Sequence, residues 1–152
     1  AWIMHLTEAF AERMTRHRQQ LHIDVPVGII LEVDLASLER IFMELLNNAC
    51  KYTPAGEHIT ISLQTMAEVF RLTISNSGIE LPAVECDRIF DKFYRIPDND
   101  PWKHGGTGLG LALVKKLVER LGGKIWAESR NNQVSFIFHL PKTLFVQQNP
   151  VK

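Results

Sequence analysis

The chain has few cysteines: Cys50 and Cys86 are the only two in 152 residues. Two thiols cannot supply the disulfide framework of a small secreted scaffold or a four-thiolate metal cluster. A charge excess is also missing, because 17 Lys+Arg balance 17 Asp+Glu. Nucleic acid and anionic membrane surfaces are recognised through basic footprints, and the composition offers none. No apolar run approaches the ~18 residues a membrane span needs. The first residues lack the charged-then-apolar layout of a signal peptide. There is no internal repeat, low-complexity block or long linker. What remains is a globular chain long enough for one core and one domain. It begins at Ala1 rather than Met and reads as a fragment. Its thiols fit a reducing, cytoplasmic setting.

Hydrophobic spacing places the elements. Leu6, Phe10, Met14 and Leu21 predict a helix over 6–20. Leu21–Val25 and Ile29–Val33 read as short strands around the Pro26-Val27-Gly28 turn. Asp34 suits an N-cap, opening a helix to Tyr52. On it Leu38, Ile41, Phe42, Leu45, Leu46, Ala49 and Cys50 recur at amphipathic spacing, which makes Cys50 a buried thiol. Ile59, Ile61 and Leu63 alternate with polar residues, as do Phe70, Leu72 and Ile74, giving two half-buried strands. Residues 82–93 suit short helical turns, and 95–107 no regular element, since prolines and glycines punctuate them. A helix follows from Leu109 to Leu121, with Leu111, Val114, Leu117, Val118 and Leu121 inward, stopped by Gly122-Gly123. Ile125–Ser129 and Val134–Leu140 form a hairpin around Asn131-Asn132. Helices on one face of a mixed sheet is the economical packing. The alternation of elements alone leaves other α/β topologies open.

Three spaced boxes carry the chemistry. In the first, Glu44, Asn48 and Lys51 project within ~60° of one another, away from the apolar stripe. An Asn oxygen suits Mg²⁺, and an ammonium suits phosphate. The bland alternative is a solvated face with one Glu–Lys pair. Asn47-Asn48 in mid-helix are poor helix formers, a local cost that fits residues kept for contact. The second box is Asn76-Ser-Gly-Ile-Glu80, followed by Ile89-Phe-Asp-Lys-Phe-Tyr-Arg95. By itself Asn76-Ser77-Gly78 is an ordinary strand-ending turn. The third is Gly106-Thr-Gly-Leu-Gly-Leu111, between an irregular segment and a helix. Free N–H groups at a helix start bind phosphate oxygens, and glycines permit close approach. The spacing matches neither a Rossmann fingerprint nor a P-loop. Alone it is also a flexible helix cap.

In order and separation these boxes resemble the N, G1, F and G2 boxes of the ATP-binding catalytic domain of sensor histidine kinases, a fold shared with DNA gyrase, HSP90 and MutL. The resemblance covers residues 21–141. It implies an α+β fold: a two-layer α/β sandwich whose mixed sheet has about five or more strands, with helices on one face. Residues 1–20 would open the domain or link it to a separate acceptor domain, and 142–152 would be a tail. The implied cofactors are ATP and Mg²⁺, with Asn48 holding the metal. Lys51, Arg95 and the Gly106, Thr107, Gly108, Leu109, Gly110 and Leu111 backbone would neutralise phosphate charge.

Further roles follow from the same resemblance. Asn76, next to Gly78, would read adenine. Tyr52, Ile79, Ile89 and Leu109 would wall the base. Phe90 and Phe93 would pack in the core as a hinge, leaving Tyr94 and Arg95 facing the nucleotide. Residues 96–105 would form a lid, where Lys103 is a phosphate contact or, more blandly, a solvated charge. Glu44, Lys51 and Arg95 are the candidate catalytic residues. Glu44 stands where the kinases commonly carry Asn and the ATPase relatives a water-activating Glu. Support of the metal shell is the favoured role. Asn76 replaces the family's Asp, and Glu80 its second glycine.

None of His5, His17, His22, His58, His104 and His139 lies in an acceptor-like box, and His22 and His139, in strands, read as structural. The implied function is transfer of the ATP γ-phosphoryl group to a His on the dimerisation domain of the same kinase, with a response regulator downstream. No nucleic-acid partner or direct membrane contact is implied, and the domain would be cytoplasmic even in a membrane-anchored protein. Two alternatives remain: a degenerate nucleotide-binding module, motivated by Asn76 and Glu80, and a small ATPase or protein-serine kinase of the same superfamily, motivated by Glu44.

Overall fold

The computed structural model describes residues 2–94 and 109–142. Their elements run α1 (Trp2–Arg16), β1 (Gln20–Asp24), α2 (Leu35–Tyr52), β2 (His58–Thr65), β3 (Val69–Ser77), α3 (Ala83–Arg88), α4 (Gly110–Arg120), β4 (Lys124–Ser129) and β5 (Gln133–Pro141). The strands form one sheet in the order β1-β2-β3-β5-β4. β1 pairs parallel with β2, and all other pairs are antiparallel. The mixed five-stranded α+β expectation is met.

Strand alternation sorts the two faces. The register sets Ile61 beside Ile74, and Ile74 beside Phe136. It likewise aligns Leu63, Leu72, Phe138 and Ile125. These residues, with Ile59, Val134 and Leu140, form one apolar face, buried under α1, α2 and α4. The opposite face carries His22, Thr60, Ser62, Thr73, Ser75, Ser135 and His139. On α2 the seven stripe residues are 0–3% exposed. Phe42 links the layers, edge-on to Trp2 of α1 at 5.6 Å and to Phe138 of β5 at 5.9 Å between ring centroids. Burial raises the Cys50 thiol pKa, against a smaller lowering by Arg13.

Several local expectations shift. The first helix spans Trp2–Arg16 rather than 6–20. The chain reverses at Arg18, whose φ is +56° and whose carbonyl accepts the Gly56 N–H. Ile29–Val33 is not a strand. Ile29, Leu31 and Val33 do pack on the core, while Ile30 is 78% exposed. The alternation is real, but the segment joins no ladder. Asp34 precedes α2 without a side-chain cap to the backbone, and instead accepts the Ser37 hydroxyl at 2.7 Å. Phe93 is 70% exposed with φ +64°, so only Phe90 of that pair reaches the core. Gly122, at φ +85°, ends α4. Gly123 serves a different need, because a Cβ there would overlap the His139 carbonyl oxygen of β5.

Candidate nucleotide site

The polar side of α2 presents Glu44, Asn48, Lys51 and Tyr52, all half-buried beside the fully buried stripe. Glu44 is fixed by Arg40 one turn earlier: its Oε2 accepts from Nη2 at 3.0 Å and from Nε at 3.1 Å. Its other oxygen reaches the start of α4, where a Cβ on Gly110 would fall 2.7 Å from Oε1. Glycine at that position leaves room for a carboxylate against the amino end of a helix, where the unpaired N–H groups favour negative charge. The Lys51 ammonium lies 6.0 Å from the Tyr52 ring centroid.

The second box abuts the same helix from its other end. Asn76, 4% exposed, sits on the core face of β3 between Ile59 and Val134. Gly78 has φ +83°, and a Cβ there would lie 2.5 Å from Glu57 Cγ and 3.0 Å from Pro54 Cδ. Conformation and space both require glycine, since the turn leaving α2 presses against it. Ser77 donates its hydroxyl to Glu57 Oε1 at 2.8 Å and accepts the His58 N–H at 2.9 Å. Ile79 packs at the core edge, and Ile89 is buried at 5% exposure. Leu109 is 39% exposed at the start of α4, and Leu111 is half-buried.

Glu80 has a task that the sequence does not reveal. Its Oε2 accepts the Asn132 N–H at 2.6 Å. Gly78 N–H donates to the Asn132 carbonyl at 2.9 Å, and Leu81 N–H to Ser129 Oγ at 2.8 Å. Asn131 and Asn132 both have positive φ, the conformation of a tight hairpin turn. The hairpin tip is thus fastened to the 78–81 segment. Arg40 and Glu57 are the other residues missed; Arg40 was readable from its i−4 spacing to Glu44, whereas Glu57 meets the site only through the fold.

Tyr94 is tied to α3. Its hydroxyl donates to Glu85 of α3, and the Arg88 guanidinium lies 4.5 Å from the ring centroid. The hydrogen bond to Glu85 raises its pKa. Arg95, Lys103, Gly106, Thr107, Gly108 and the expected 96–105 lid lie outside the described residues. A separate cleft of about 550 Å³ between α1 and α2, lined by His5, Ala9, Glu39 and Met43 among others, includes Arg40 but no candidate residue.

The first box therefore meets the third through Glu44 at Gly110, and the turn that leaves α2 meets the second through Pro54 and Glu57 at Gly78. The donor set fits ATP with Mg²⁺. It offers a half-buried amide on a polar helix face, a buried amide at a strand end, and a helix that starts on a glycine.

The sequence pattern of the histidine kinase-, DNA gyrase B-, and HSP90-like ATPases matches residues 33–144. The chain belongs to this ATPase family. It is homologous to sensor histidine kinases. Sensor histidine kinase WalK of Bacillus subtilis (strain 168) is 35% identical over 116 residues, which are 74% of this chain and 19% of that protein. Sensor protein VanS of Enterococcus faecium is 32% identical over 139 residues, 91% of this chain and 36% of that protein. The chain thus spans between about a fifth and about a third of these relatives. The nucleotide-free catalytic domain of histidine kinase ThkA superposes with a TM-score of 0.81 at 29% identity, covering 92% of this chain and 91% of that one. ThkA in complex with the response regulator TrrA gives 0.78 at 28% identity, over 93% of this chain and 40% of that one. The fold is that of a histidine kinase catalytic domain.

Proposed function

We propose that this chain binds Mg·ATP between α2, the 76–80 turn and the start of α4, and directs the γ-phosphoryl group to a histidine on the dimerisation domain of the same kinase. The observation that carries the reading is the convergence of the boxes on one helix, with Glu44 of the first against Gly110 of the third and Gly78 of the second against Pro54 in the turn that leaves the helix. Bound Mg·ATP supplies the transferable phosphoryl group and a cation that neutralises its charge, so the protein's share is positioning and electrostatics. Asn48 holds the cation through its amide oxygen. Asn76 presents a buried acceptor to the adenine amino group, beside Gly78, and Tyr52, Ile79, Ile89 and Leu109 shape the base site. Lys51, with Arg95, Lys103 and the Gly106–Leu111 backbone, neutralises phosphate. Glu44, tethered by Arg40, supports the metal shell.

The response regulator is an indirect partner, fed by the phosphohistidine; the solved complex of ThkA with the response regulator TrrA supports a partner of that class. Among the described residues no helix is long and apolar enough to cross a membrane. A cytoplasmic placement suits a domain that consumes ATP, whatever anchors the full-length protein.

Incubation with γ-labelled ATP tests the assignment. The chain alone should bind ATP without labelling itself, because in-line transfer needs a nucleophile held ~3–3.5 Å from phosphorus. Adding the dimerisation domain as a separate polypeptide should give acid-labile phosphate on that partner. Strong self-labelling would overturn the two-domain mechanism. No label with both present, despite ATP binding, would favour a degenerate binding module.

A further inference from the structure

We propose that His22 and His58 form a two-imidazole site for a divalent transition-metal cation, Cu²⁺ or Ni²⁺, on the open face of the sheet. The site stands apart from the nucleotide reading and does not rest on it. Reading His22 as a structural strand residue misses its surroundings, because it is exposed and faces a second exposed histidine. The parallel register sets Gln20 beside His58 and His22 beside Thr60, so the two histidines are diagonal neighbours on one face. Nε2 of His22 lies 2.9 Å from Nδ1 of His58, with ring centroids 5.0 Å apart and planes tilted by 31°.

The 2.9 Å spacing is that of a hydrogen bond, so the donor set rather than the distance selects the metal. Two imidazoles with water oxygens make the N,O shell that suits tetragonal Cu²⁺ or Ni²⁺, and Cu²⁺ stands above Zn²⁺ in affinity for such donors. Structural Zn²⁺ sites take four protein ligands. Mg²⁺ prefers oxygen ligands and does not compete. The strand backbone is already set for the pair. Gln20 N–H donates to the Glu57 carbonyl at 3.0 Å, which pins the start of β2 against β1, and His58 N–H donates to Ser77 Oγ at 2.9 Å, which ties it to β3.

Coordination needs a lone pair on each facing nitrogen. The ring that now donates the hydrogen bond moves its proton to its other nitrogen, which changes tautomer but not charge. Each exposed ring then turns about its Cβ–Cγ bond until the lone pairs converge. Among the described residues no group of three or more His, Cys, Asp or Glu side chains converges, so water completes the shell.

The test is a calorimetric titration of the chain with CuCl₂ and, separately, NiCl₂, with MgCl₂ as control and NMR of the imidazole C–H signals. One equivalent of Cu²⁺ or Ni²⁺ should bind, and Cu²⁺ should broaden the His22 and His58 signals first. His22→Gln and His58→Gln should each weaken binding at least tenfold. Both positions are exposed, and circular dichroism checks that each variant folds. Ni²⁺ should raise the thermal midpoint of the unsubstituted chain and leave that of either variant unmoved. Undiminished binding by the variants, or first broadening at His5, His17, His104 or His139, would overturn the proposal.

Discussion

Asn76→Asp sets two effects of one buried residue against each other. At 4% exposure the side chain is almost wholly removed from water. As a neutral acceptor its hydrogen bond to an adenine amino group contributes ~0.5–1.5 kcal/mol, whereas a charged acceptor gives ~1.5–3 kcal/mol. The difference, ~1 kcal/mol, is a roughly fivefold tighter dissociation constant. Burial works in the other direction, because desolvation disfavours the carboxylate and raises its pKa above the ~3.9 of an unfolded Asp. The folded variant then holds its proton more tightly than the unfolded one. Relative to the parent chain, its stability falls as pH rises above ~3.9 and levels off above the folded pKa. Only the ionised form makes the stronger bond, so the gain in affinity should grow with pH. Calorimetric Mg·ATP titrations from pH 6 to 8.5, on both chains in parallel, cancel the nucleotide's own titration. Urea midpoints without nucleotide report the cost. Equal or weaker binding by a folded variant at pH 8.5 would refute the placement of adenine at Asn76.

Asn48→Ala should abolish Mg·ATP binding while the urea midpoint barely moves, because the side chain lies on the polar side of α2; unchanged calorimetric affinity would defeat the metal assignment. Phe138→Ala, at a position with 0% exposure, should cost ~3–5 kcal/mol in urea unfolding. Gly123→Ala drives a methyl into the His139 carbonyl, which is backbone and cannot swing aside, so a loss of at least ~1–3 kcal/mol should appear in the same assay. Burial, then Arg71 and Lys124, depress the His139 pKa, so its contribution is present above ~6.5 and lost as pH falls through the lower folded value. His139→Gln should flatten the acid limb of the stability–pH curve, measured by urea midpoints between pH 5 and 8.

Much of the fold was legible because its signals are local. The α2 stripe and the alternation in β2 and β3 each fit within one element, and burial follows them residue by residue. Ile29–Val33 misled because alternation reports which side chains are buried, not whether a neighbouring strand is there to pair. Phe93 misled for a related reason: apolar character gives no notice of a left-handed backbone that turns the ring outward. In the site, residue type and spacing nominated Glu44, Asn48 and Gly110, and the resemblance of the ordered boxes nominated Asn76. Neither could show that Glu80 serves a hairpin 52 residues further along, or that Glu57 meets Ser77 and Gly78. The His22–His58 pair was invisible for the same reason, since 36 residues separate two side chains that only the β1–β2 register brings together.

The strand order has a consequence for how the protein is made. β3 lies at the centre of the sheet and takes β5 along its whole length, yet residues 78–132 separate the two strands. At ~5–20 residues per second, a ribosome needs roughly 3–11 s to deliver that interval. Until then β3 has β2 on one side and an open ladder on the other, with Leu72 and Ile74 not yet covered by Phe136 and Phe138. An unpaired edge of this kind invites pairing with other chains. During synthesis the central strand of the finished domain is therefore its most vulnerable, and a nascent chain halted before Gln133 should be held by chaperones or lost to aggregation.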